Sequence, residues 1–185
     1  MLKFITGNKY KFNETQELLK PIKIKRLDVE LDEIQSIDPS KIIKHKINQA
    51  FKHHSGPFII EDSSLIIEAF GNKLPGPFIK YFNQHLGPKN IAKIAIKMGK
   101  QKALASVLLA LAINHKKILL FRGSVTGKIV LPRGKYGFGY DPIFKPSGSK
   151  LTLGQMKLGN NFLQSARARA VKKLKTYLLK HGKTI

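Results

Sequence analysis

The sequence predicts a mixed α/β domain in which helices pack on an elongated β-sheet. Short apolar runs, such as residues 2–6, alternate with segments whose apolar side chains recur at helical spacing. Two longer apolar stretches, residues 103–113 and 117–130, flank Asn114 and His115, which is typical of two strands joined by a tight turn. Strands and helices that alternate in the first half of the chain, followed by two strands that pair with each other, indicate a sheet covered by helices.

Turn residues define the elements of the first half. Residues 2–6 predict a buried strand that ends at a Gly-Asn turn and leads into a helix. This helix is predicted to end before Pro21, and the alternating residues 22–29 predict a second strand. Asp38 followed by Pro39 indicates the start of a second helix, because both residue types are favoured at a helix N-terminus.

The same reasoning continues through the rest of the chain. Residues 58–60 predict a buried strand that runs directly into Glu61 and Asp62, and a Leu-Pro-Gly-Pro turn at residues 74–77 precedes a helix. The remaining predicted elements are a helix at 91–98, the two long strands, and a basic amphipathic helix at 162–179.

The composition fits one domain spanning residues 1–185. A hydrophobic share of 42% is enough for a core and excludes a largely disordered chain. The chain has no cysteine, which excludes disulfides, thiolate metal sites and cysteine nucleophiles. The start lacks the apolar core of a signal peptide, and residues 103–113 are too short to span a bilayer. We therefore expect a soluble, cytoplasmic protein.

The charge of the chain is unusually positive. It has 34 Lys and Arg against 11 Asp and Glu, which gives a formal net charge of +23, and after Glu68 the only acid is Asp141. Such a surface attracts polyanions, including nucleoside phosphates, nucleic acid and anionic lipid. An alternative is a lysine-rich composition inherited from an AT-rich genome, since 29 of the basic residues are lysines.

Two local patterns carry candidate chemistry. The segment Thr6–Lys11 lies where a strand becomes a helix, and helix N-terminal amides with lysines nearby bind phosphate, although a capped turn explains the same pattern. Glu61 and Asp62 end an apolar strand, which suits Mg²⁺ shared with a phosphate group, and Glu33 is a candidate second ligand. A solvated acidic edge is the alternative.

Several other sites are excluded by their spacing. The glycines at residues 123–127 and 134–139 fit neither a P-loop nor a dinucleotide fingerprint. The six histidines lack zinc-site spacing, and no serine has the context of a hydrolase nucleophile.

Four motifs occur in an order that resembles the inosine/xanthosine triphosphate pyrophosphatase family. They are Thr-Gly-Asn with Lys11, Glu-Asp-Ser-Ser-Leu at 61–65, Pro-Gly-Pro-Phe-Ile-Lys at 75–80, and Phe-Gly-Tyr-Asp-Pro-Ile-Phe at 138–144. The third is most similar to archaeal and eukaryotic members. The resemblance covers nearly the whole chain and implies two lobes with the nucleotide cleft between them, a homodimer, and a Mg²⁺-dependent enzyme.

The resemblance also implies roles for individual residues. Glu33 and Asp62 correspond to the metal ligands, and Asp62 and Lys11 to the catalytic residues. Residues 138–141 correspond to the lining of the base pocket, and Arg167 to the arginine that binds a purine 6-keto oxygen. The implied substrate-binding residues are Thr6, Gly7, Asn8, Lys11, Lys46, Ser63, Lys80, Phe138, Gly139, Tyr140, Asp141 and Arg167.

The chain departs from the family pattern near its last helix. Asn160-Asn161 stands where the family has Glu-Lys, and Ser165-Ala166-Arg167 where it has Ser-His-Arg. Gln155 replaces a glutamate in the preceding turn. We therefore expect hydrolysis with weakened affinity or a looser preference for the base.

These observations leave two functional hypotheses. The first is an enzyme that converts ITP, dITP and XTP to the monophosphate and pyrophosphate and so cleanses the nucleotide pool. The second is the same fold reused as a basic RNA- or ribosome-binding protein. The retained acids Glu33, Asp62 and Asp141 favour the enzyme.

Overall fold

The computed structural model describes residues 1–157 and 164–181. In this part of the chain, five α-helices accompany a seven-stranded mixed sheet. The helices are α1 (Lys9–Leu19), α2 (Pro39–His53), α3 (Ile79–His85), α4 (Gly87–Lys97) and α5 (Ala166–His181). The strands are β1 (Lys3–Ile5), β2 (Lys25–Leu27), β3 (Phe58–Ile67), β4 (Pro75–Gly76), β5 (Lys102–Asn114), β6 (Lys117–Ile129) and β7 (Phe144–Pro146).

The sheet combines parallel and antiparallel pairs. Its strand order is β2-β1-β3-β5-β6-β7, with β4 paired to β3. Strand β1 runs parallel to β2 and β3, whereas the β3–β4 and β6–β7 pairs are antiparallel. The predicted mixed α/β class is therefore confirmed.

The chain divides into two compact units. Unit 1 comprises Met1–Asp62, Val107–Gly123 and Arg167–Ile185, and unit 2 comprises Ser63–Ser106 and Ser124–Ala166. Strands β3, β5 and β6 contribute residues to both units. The nucleotide cleft expected between two lobes, and the single domain of residues 1–185, remain predictions.

The core of unit 1 is built where one face of α2 packs on strand residues. Ile43, Ile47 and Ala50 lie on one face of α2 and are buried, because residues separated by three or four positions share a helix face. Alternate residues of β3 and β5 complete this core: Phe58, Ile60, Leu108, Ala110 and Ala112. Lys46 is buried on α2 with them, so the packing of the helix also fixes a charged side chain.

Side-chain caps set the starts of the first two helices. Asn8 Oδ1 accepts from the Lys11 N–H at 3.1 Å, and Asp38 Oδ1 accepts from the Ser40 N–H at 2.8 Å. These caps satisfy backbone donors that the helices leave without partners. The helix start predicted at Asp38-Pro39 is confirmed.

Unit 2 contains a tight loop system after β6. Arg133 N–H donates to Pro142 O at 2.9 Å, and Thr152 Oγ1 donates to Arg133 O at 2.8 Å. Gly134 has φ of 85°, and a Cβ there would meet Gly154 O at 2.0 Å. Only glycine accommodates this close approach of two backbone segments.

Several predicted elements differ from the structure. Glu61 and Asp62, expected at the end of a strand, lie within β3, and the helix expected at residues 91–98 is Gly87–Lys97. The strand expected at residues 22–29 is only Lys25–Leu27, because Ile24 N–H bonds to Gln16 Oε1 at 3.0 Å and Val29 N–H bonds to Leu27 O. The last helix begins at Ala166, and the start predicted at residue 162 lies outside the described residues. Among the described helices, none has the length and apolar character needed to cross a membrane.

Candidate active site

Seven charged side chains of unit 1 form two groups of ion pairs, which a hydrogen bond from Lys46 to the backbone oxygen of Glu61 joins into one network. They come from the first turns of α1, the segment between β2 and α2, the middle of α2, the centre of β3 and the start of α5: Lys11, Glu14, Glu33, Lys46, Glu61, Asp62 and Arg167. Five of the seven are buried, and Glu33 and Lys11 are the more accessible members. Buried charges are costly unless paired, so this density of charge marks a candidate functional site.

Lys46 lies at the centre of the half of this network that contains Glu33 and Asp62. Its Nζ is 2.6 Å from Glu33 Oε1 and 2.8 Å from Asp62 Oδ1, and it is 3.5 Å from the backbone oxygen of Glu61. Burial lowers the pKa of Lys46, but the Asp62 and Glu33 carboxylates outweigh this effect and hold the pKa above its usual value. The side chain is therefore an ammonium in contact with two carboxylates.

Asp62 has one engaged and one unpartnered carboxylate oxygen. Oδ1 accepts from Lys46, whereas Oδ2 is buried and has no hydrogen-bond partner within residues 1–157 and 164–181. Burial raises the pKa of Asp62, and the nearby Lys46 and Lys11 ammonium groups oppose that rise only in part. A buried carboxylate oxygen without a donor is costly for the protein alone, so this oxygen is suited to accept a proton or a cation from a ligand.

The donor set fits a metal ion shared with phosphate groups. No group of three or more His, Cys, Asp or Glu side chains in the described residues has the arrangement of a metal site. Mg²⁺ typically takes only one or two protein carboxylates and completes its shell with phosphate oxygens and water. Glu33 and Asp62, held together by Lys46, fit this requirement, and they do not fit a metal enclosed by protein ligands alone.

Arg167 anchors the other half of the network. Its Nε and Nη2 donate to the two oxygens of Glu61 at 2.9 and 2.8 Å, and Nη1 donates to Glu14. Three of the five guanidinium N–H groups are thus directed at carboxylates. The role of Arg167 in binding the base remains a prediction, and the structure adds that two acids fix its orientation.

Lys11 shares Glu61 with Arg167. Its Nζ lies 3.5 Å from Glu61 Oε1. Burial lowers the pKa of Lys11, and the positive charges of Lys46 and Arg167 lower it further, against the opposing effect of Glu61. This lysine lies beside the amino end of α1, where the helix dipole also favours an anion.

The segment Thr6-Gly7-Asn8 is held by side-chain and backbone contacts. Asn8 N–H donates to Thr6 Oγ1 at 3.1 Å, while Arg26 donates to the backbone oxygens of Thr6 and Gly7. A Cβ on Gly7 would make only ordinary contacts with Glu30, at 3.7 Å. The turn is therefore fixed by capping and by Arg26, and it presents the start of α1 beside Lys11.

The other predicted site residues lie in unit 2. Asp141 is buried, and its Oδ2 accepts from Phe138 N–H at 2.8 Å, so it closes the loop at residues 138–141. Gly137 has φ of 72°, and a Cβ there would lie 2.2 Å from the same oxygen. Tyr140 packs edge-on against Phe144, with ring centroids 6.1 Å apart. Lys80 is exposed near the start of α3, and Ser63 is half-buried on β3.

The structure thus places the predicted residues in two groups. Unit 1 contains Thr6, Gly7, Asn8, Lys11, Glu33, Lys46, Asp62 and Arg167, and unit 2 contains Ser63, Lys80, Phe138, Gly139, Tyr140 and Asp141. The ion-pair network joins Lys11, Glu33, Lys46, Asp62 and Arg167 directly or through Glu61. That both groups contact one substrate remains a prediction.

Sequence reasoning placed Glu14 in the first helix, where the helix dipole favours acids, but assigned it no role in the site. The sequence feature that could have indicated Glu14 is its position one helical turn after Lys11, in a chain with few acidic residues. Of the positions that depart from the family pattern, residues 160 and 161 lie outside the described residues. Ser165 and Ala166 are buried before Arg167, and Gln155 Oε1 accepts from Thr152 N–H at 3.1 Å, so the glutamine caps the preceding turn.

Comparison with known proteins identifies the family to which the chain belongs. The model of the Ham1 family matches residues 2–177. The chain belongs to the Ham1 family. The family predicted from the motifs, that of nucleoside triphosphate pyrophosphatases, is thereby confirmed.

Solved structures of two Ham1 proteins and of one nucleoside-triphosphatase share the fold. A HAM1 protein from Coxiella burnetii is 27% identical, with a TM-score of 0.81 over 97% of this chain and 100% of the other. The Staphylococcus aureus Ham1 protein is 23% identical, with a TM-score of 0.77 over 97% and 99% of the two chains. A nucleoside-triphosphatase, or dITP/XTP pyrophosphatase, from Mycobacterium abscessus is 23% identical, with a TM-score of 0.61 over 97% and 98%.

Proposed function

We propose that this Ham1 protein hydrolyses deaminated purine nucleoside triphosphates, namely ITP, dITP and XTP, to the monophosphate and pyrophosphate. The observation that carries the proposal is the buried pair Asp62–Lys46 with Glu33, beside the lysine-flanked start of α1. This group offers carboxylates for a metal ion and cations for a triphosphate. The solved relative from Mycobacterium abscessus, described as a dITP/XTP pyrophosphatase, supports the substrate class.

In this proposal Glu33 and Asp62 would hold Mg²⁺. The ion would supply neutralisation of phosphate charge and activation of the attacking water. Support comes from Glu33 Oε1 and Asp62 Oδ1, two carboxylate oxygens that already share one cation, Lys46.

The protein's own residues position the phosphates and receive the proton. Lys11, Lys46 and the amides at the start of α1 bind the triphosphate oxygens, which aligns the α-phosphorus for attack by water. Asp62 accepts a proton from that water at Oδ2, the oxygen not engaged by Lys46. The P–O bond between the α-phosphorus and the bridging oxygen breaks, and pyrophosphate leaves.

Base discrimination is assigned to Arg167 and to the loop at residues 138–141. A 6-keto oxygen accepts from a guanidinium, whereas a 6-amino group leaves that donor without a partner. Glu14 and Glu61 hold the guanidinium in place before a base arrives. Phe138 and Tyr140 supply aromatic surface for the purine in unit 2.

A pyrophosphate-release assay tests this function. We expect release from ITP, dITP and XTP in the presence of Mg²⁺, with slower turnover of GTP and ATP and loss of activity in EDTA. Equal turnover of ITP and ATP would remove the base preference from the proposal. Absence of pyrophosphate release from every nucleotide would overturn it.

A second proposed activity, binding of single-stranded RNA, is favoured by the outer face of α5. The exposed residues of this helix include Arg169, Lys172, Lys173 and Lys180, whereas Val171, Leu174 and Leu178 are buried beneath them. Like charges three or four positions apart destabilise a helix, and a polyanion relieves that repulsion. Lys173 Nζ donates to Arg122 O at 2.7 Å, which brings a further exposed cation of β6 beside this face.

Fluorescence anisotropy with a labelled oligouridine tests the RNA proposal. We expect the triple variant Lys172→Gln/Lys173→Gln/Lys180→Gln to bind more weakly and to reduce the log–log salt slope by about 2, since each phosphate contact on a single strand contributes about 0.7. The matched control removes three exposed lysines from α4: Lys89→Gln/Lys93→Gln/Lys97→Gln. Equal losses in both variants would show that α5 is not a defined surface.

Assembly as a homodimer and a cytoplasmic location are also proposed from the family resemblance. Sedimentation equilibrium of the purified chain tests the dimer, and a mass of one chain at micromolar concentration would contradict it.

A further inference from the structure

We propose that the Lys46 ammonium is a built-in countercation that keeps Glu33 and Asp62 from binding a divalent metal until a triphosphate is present. The inference rests on the proposed function, because it concerns the same two carboxylates. It adds a physical reason why the metal and the triphosphate should bind cooperatively, because Lys46 contacts the acceptors of one and is attracted by the other.

The geometry places Lys46 on the atoms that a metal needs. Its Nζ is within 2.8 Å of one oxygen from each carboxylate, and the nitrogen is buried together with Asp62. The ammonium therefore already provides the charge compensation and the hydrogen bonds that these two oxygens require. A metal that takes them has to displace the hydrogen bonds of Lys46.

Packing holds Lys46 at this position in the free protein. Its neighbours on α2, Ile43, Ile47 and Ala50, are fully packed in the core, and Asp62 is fixed on β3. Lys46 also approaches Glu61 O at 3.5 Å, so three oxygens surround its ammonium group. The ammonium group of Lys46 is therefore buried and held by hydrogen bonds in the free protein.

A triphosphate changes this balance of charge. Without ligand, one ammonium faces two carboxylates, so the three groups together carry one negative charge where the carboxylates alone would carry two, and a divalent cation meets a positive charge at contact distance. The phosphate oxygens of a nucleotide offer the ammonium other anionic acceptors. When Lys46 bonds to them, both carboxylates become available to the metal, and by thermodynamic linkage each ligand strengthens the other.

Titration of nucleotide-free protein with Mn²⁺, followed by the electron paramagnetic resonance signal of the free ion, tests the proposal directly. We expect Lys46→Met to bind Mn²⁺ at least about tenfold more tightly than the wild-type protein, within the usual range of coupling between sites. Lys46→Arg keeps the positive charge and is expected to retain the weak affinity of the wild type. Lys44→Met is the matched control, because it removes an exposed lysine of the same helix.

A second variant keeps the test decisive if Lys46→Met does not fold. Lys46→Gln is uncharged, and its amide can still donate a hydrogen bond to Asp62, so the same tightening is expected. Unchanged Mn²⁺ affinity in a folded Lys46→Met or Lys46→Gln protein overturns the inference. So does an equal gain in Lys44→Met, which would indicate a general charge effect.

Adding Asp62→Asn separates failure of this inference from failure of the proposed function. If Lys46→Met tightens Mn²⁺ binding and Asp62→Asn does not reverse it, the ion binds elsewhere and the proposed metal site is wrong. If Lys46→Met has no effect while Asp62→Asn abolishes pyrophosphate release, the proposed function stands and only the role of Lys46 fails.

Discussion

Arg167 and Glu61 form a buried, bidentate ion pair, although they are 106 positions apart in the chain. The pair attaches the start of α5 to the centre of β3, directly beside Asp62. Glu14 contacts the third nitrogen of the same guanidinium. This arrangement makes the orientation of Arg167 a property of the folded protein, independent of any ligand.

The first prediction concerns the stability of this network. Glu14→Gln removes one charge from a buried group and leaves Arg167 with an incomplete set of carboxylates, so we expect a loss of about 3 kcal/mol in the free energy of unfolding. Urea denaturation measures it. The control is Glu17→Gln on the same helix, whose carboxylate pairs with Lys20 near the surface and is expected to contribute about 0–1 kcal/mol. Equal effects of the two substitutions would show that the buried Glu14–Arg167 pair contributes no more to the free energy of unfolding than a surface pair does.

The second prediction concerns Asp62. Asp62→Asn keeps the shape of the side chain but removes its charge and its capacity to accept a proton, so we expect turnover to fall at least about 100-fold. The thermal unfolding midpoint should change far less than the rate. Asp32→Asn, an exposed acid beside Glu33, is the control. Near-normal pyrophosphate release by Asp62→Asn at saturating Mg²⁺ would contradict the assignment.

The third prediction concerns Glu33. Because its carboxylate is more accessible than that of Asp62, we expect Glu33→Gln to weaken metal binding without disturbing the core. The Mg²⁺ concentration for half-maximal activity should rise about tenfold or more, whereas Glu30→Gln, also exposed, should leave it unchanged. An unchanged Mg²⁺ requirement in Glu33→Gln would remove this residue from the metal site.

The fourth prediction concerns alkaline pH. The folded-state pKa of Lys11 is lower than its ordinary value of 10.5, so this lysine loses its proton earlier than an exposed lysine as pH rises. We expect KM for the triphosphate to increase in the window below pH 10.5. Lys11→Arg keeps its charge throughout this range and should remove the increase. A KM profile that is identical in the two proteins would exclude Lys11 as the titrating group.

The same shift has a defined effect on stability. Between the lowered folded-state pKa and 10.5, the unfolded chain binds more protons at Lys11 than the folded chain does. The contribution of Lys11 to the free energy of unfolding therefore rises with pH across this window, and it is constant below it. Urea denaturation of wild-type and Lys11→Met proteins across the window measures the difference.

Local signals made most of the fold predictable. Asp38, Pro21 and the Gly-Asn turn mark element ends through short-range backbone preferences, and the helices and strands follow them. The strand at residues 22–29 was overpredicted, because alternation alone does not reveal that Gln16 takes the Ile24 N–H. The division of the chain into two units also depends on long-range packing, which local periodicity does not report.

The candidate site shows the same limit. Glu33, Lys46 and Asp62 were assigned through the family motifs, and the structure brings them together. The involvement of Glu14 with Arg167 was not predicted, because their contact spans 153 positions and has no local sequence pattern. The sequence indicates which charged residues to suspect, and tertiary packing decides which of them pair.

Hydrolysis of ITP in ¹⁸O-labelled water tests the central claim most directly. If the site aligns the α-phosphorus for attack by water, mass spectrometry should find one ¹⁸O atom in the inosine monophosphate and none in the released pyrophosphate. This labelling should disappear together with turnover in Asp62→Asn. Label in the pyrophosphate, or release of inorganic phosphate with inosine diphosphate as the product, would contradict the account.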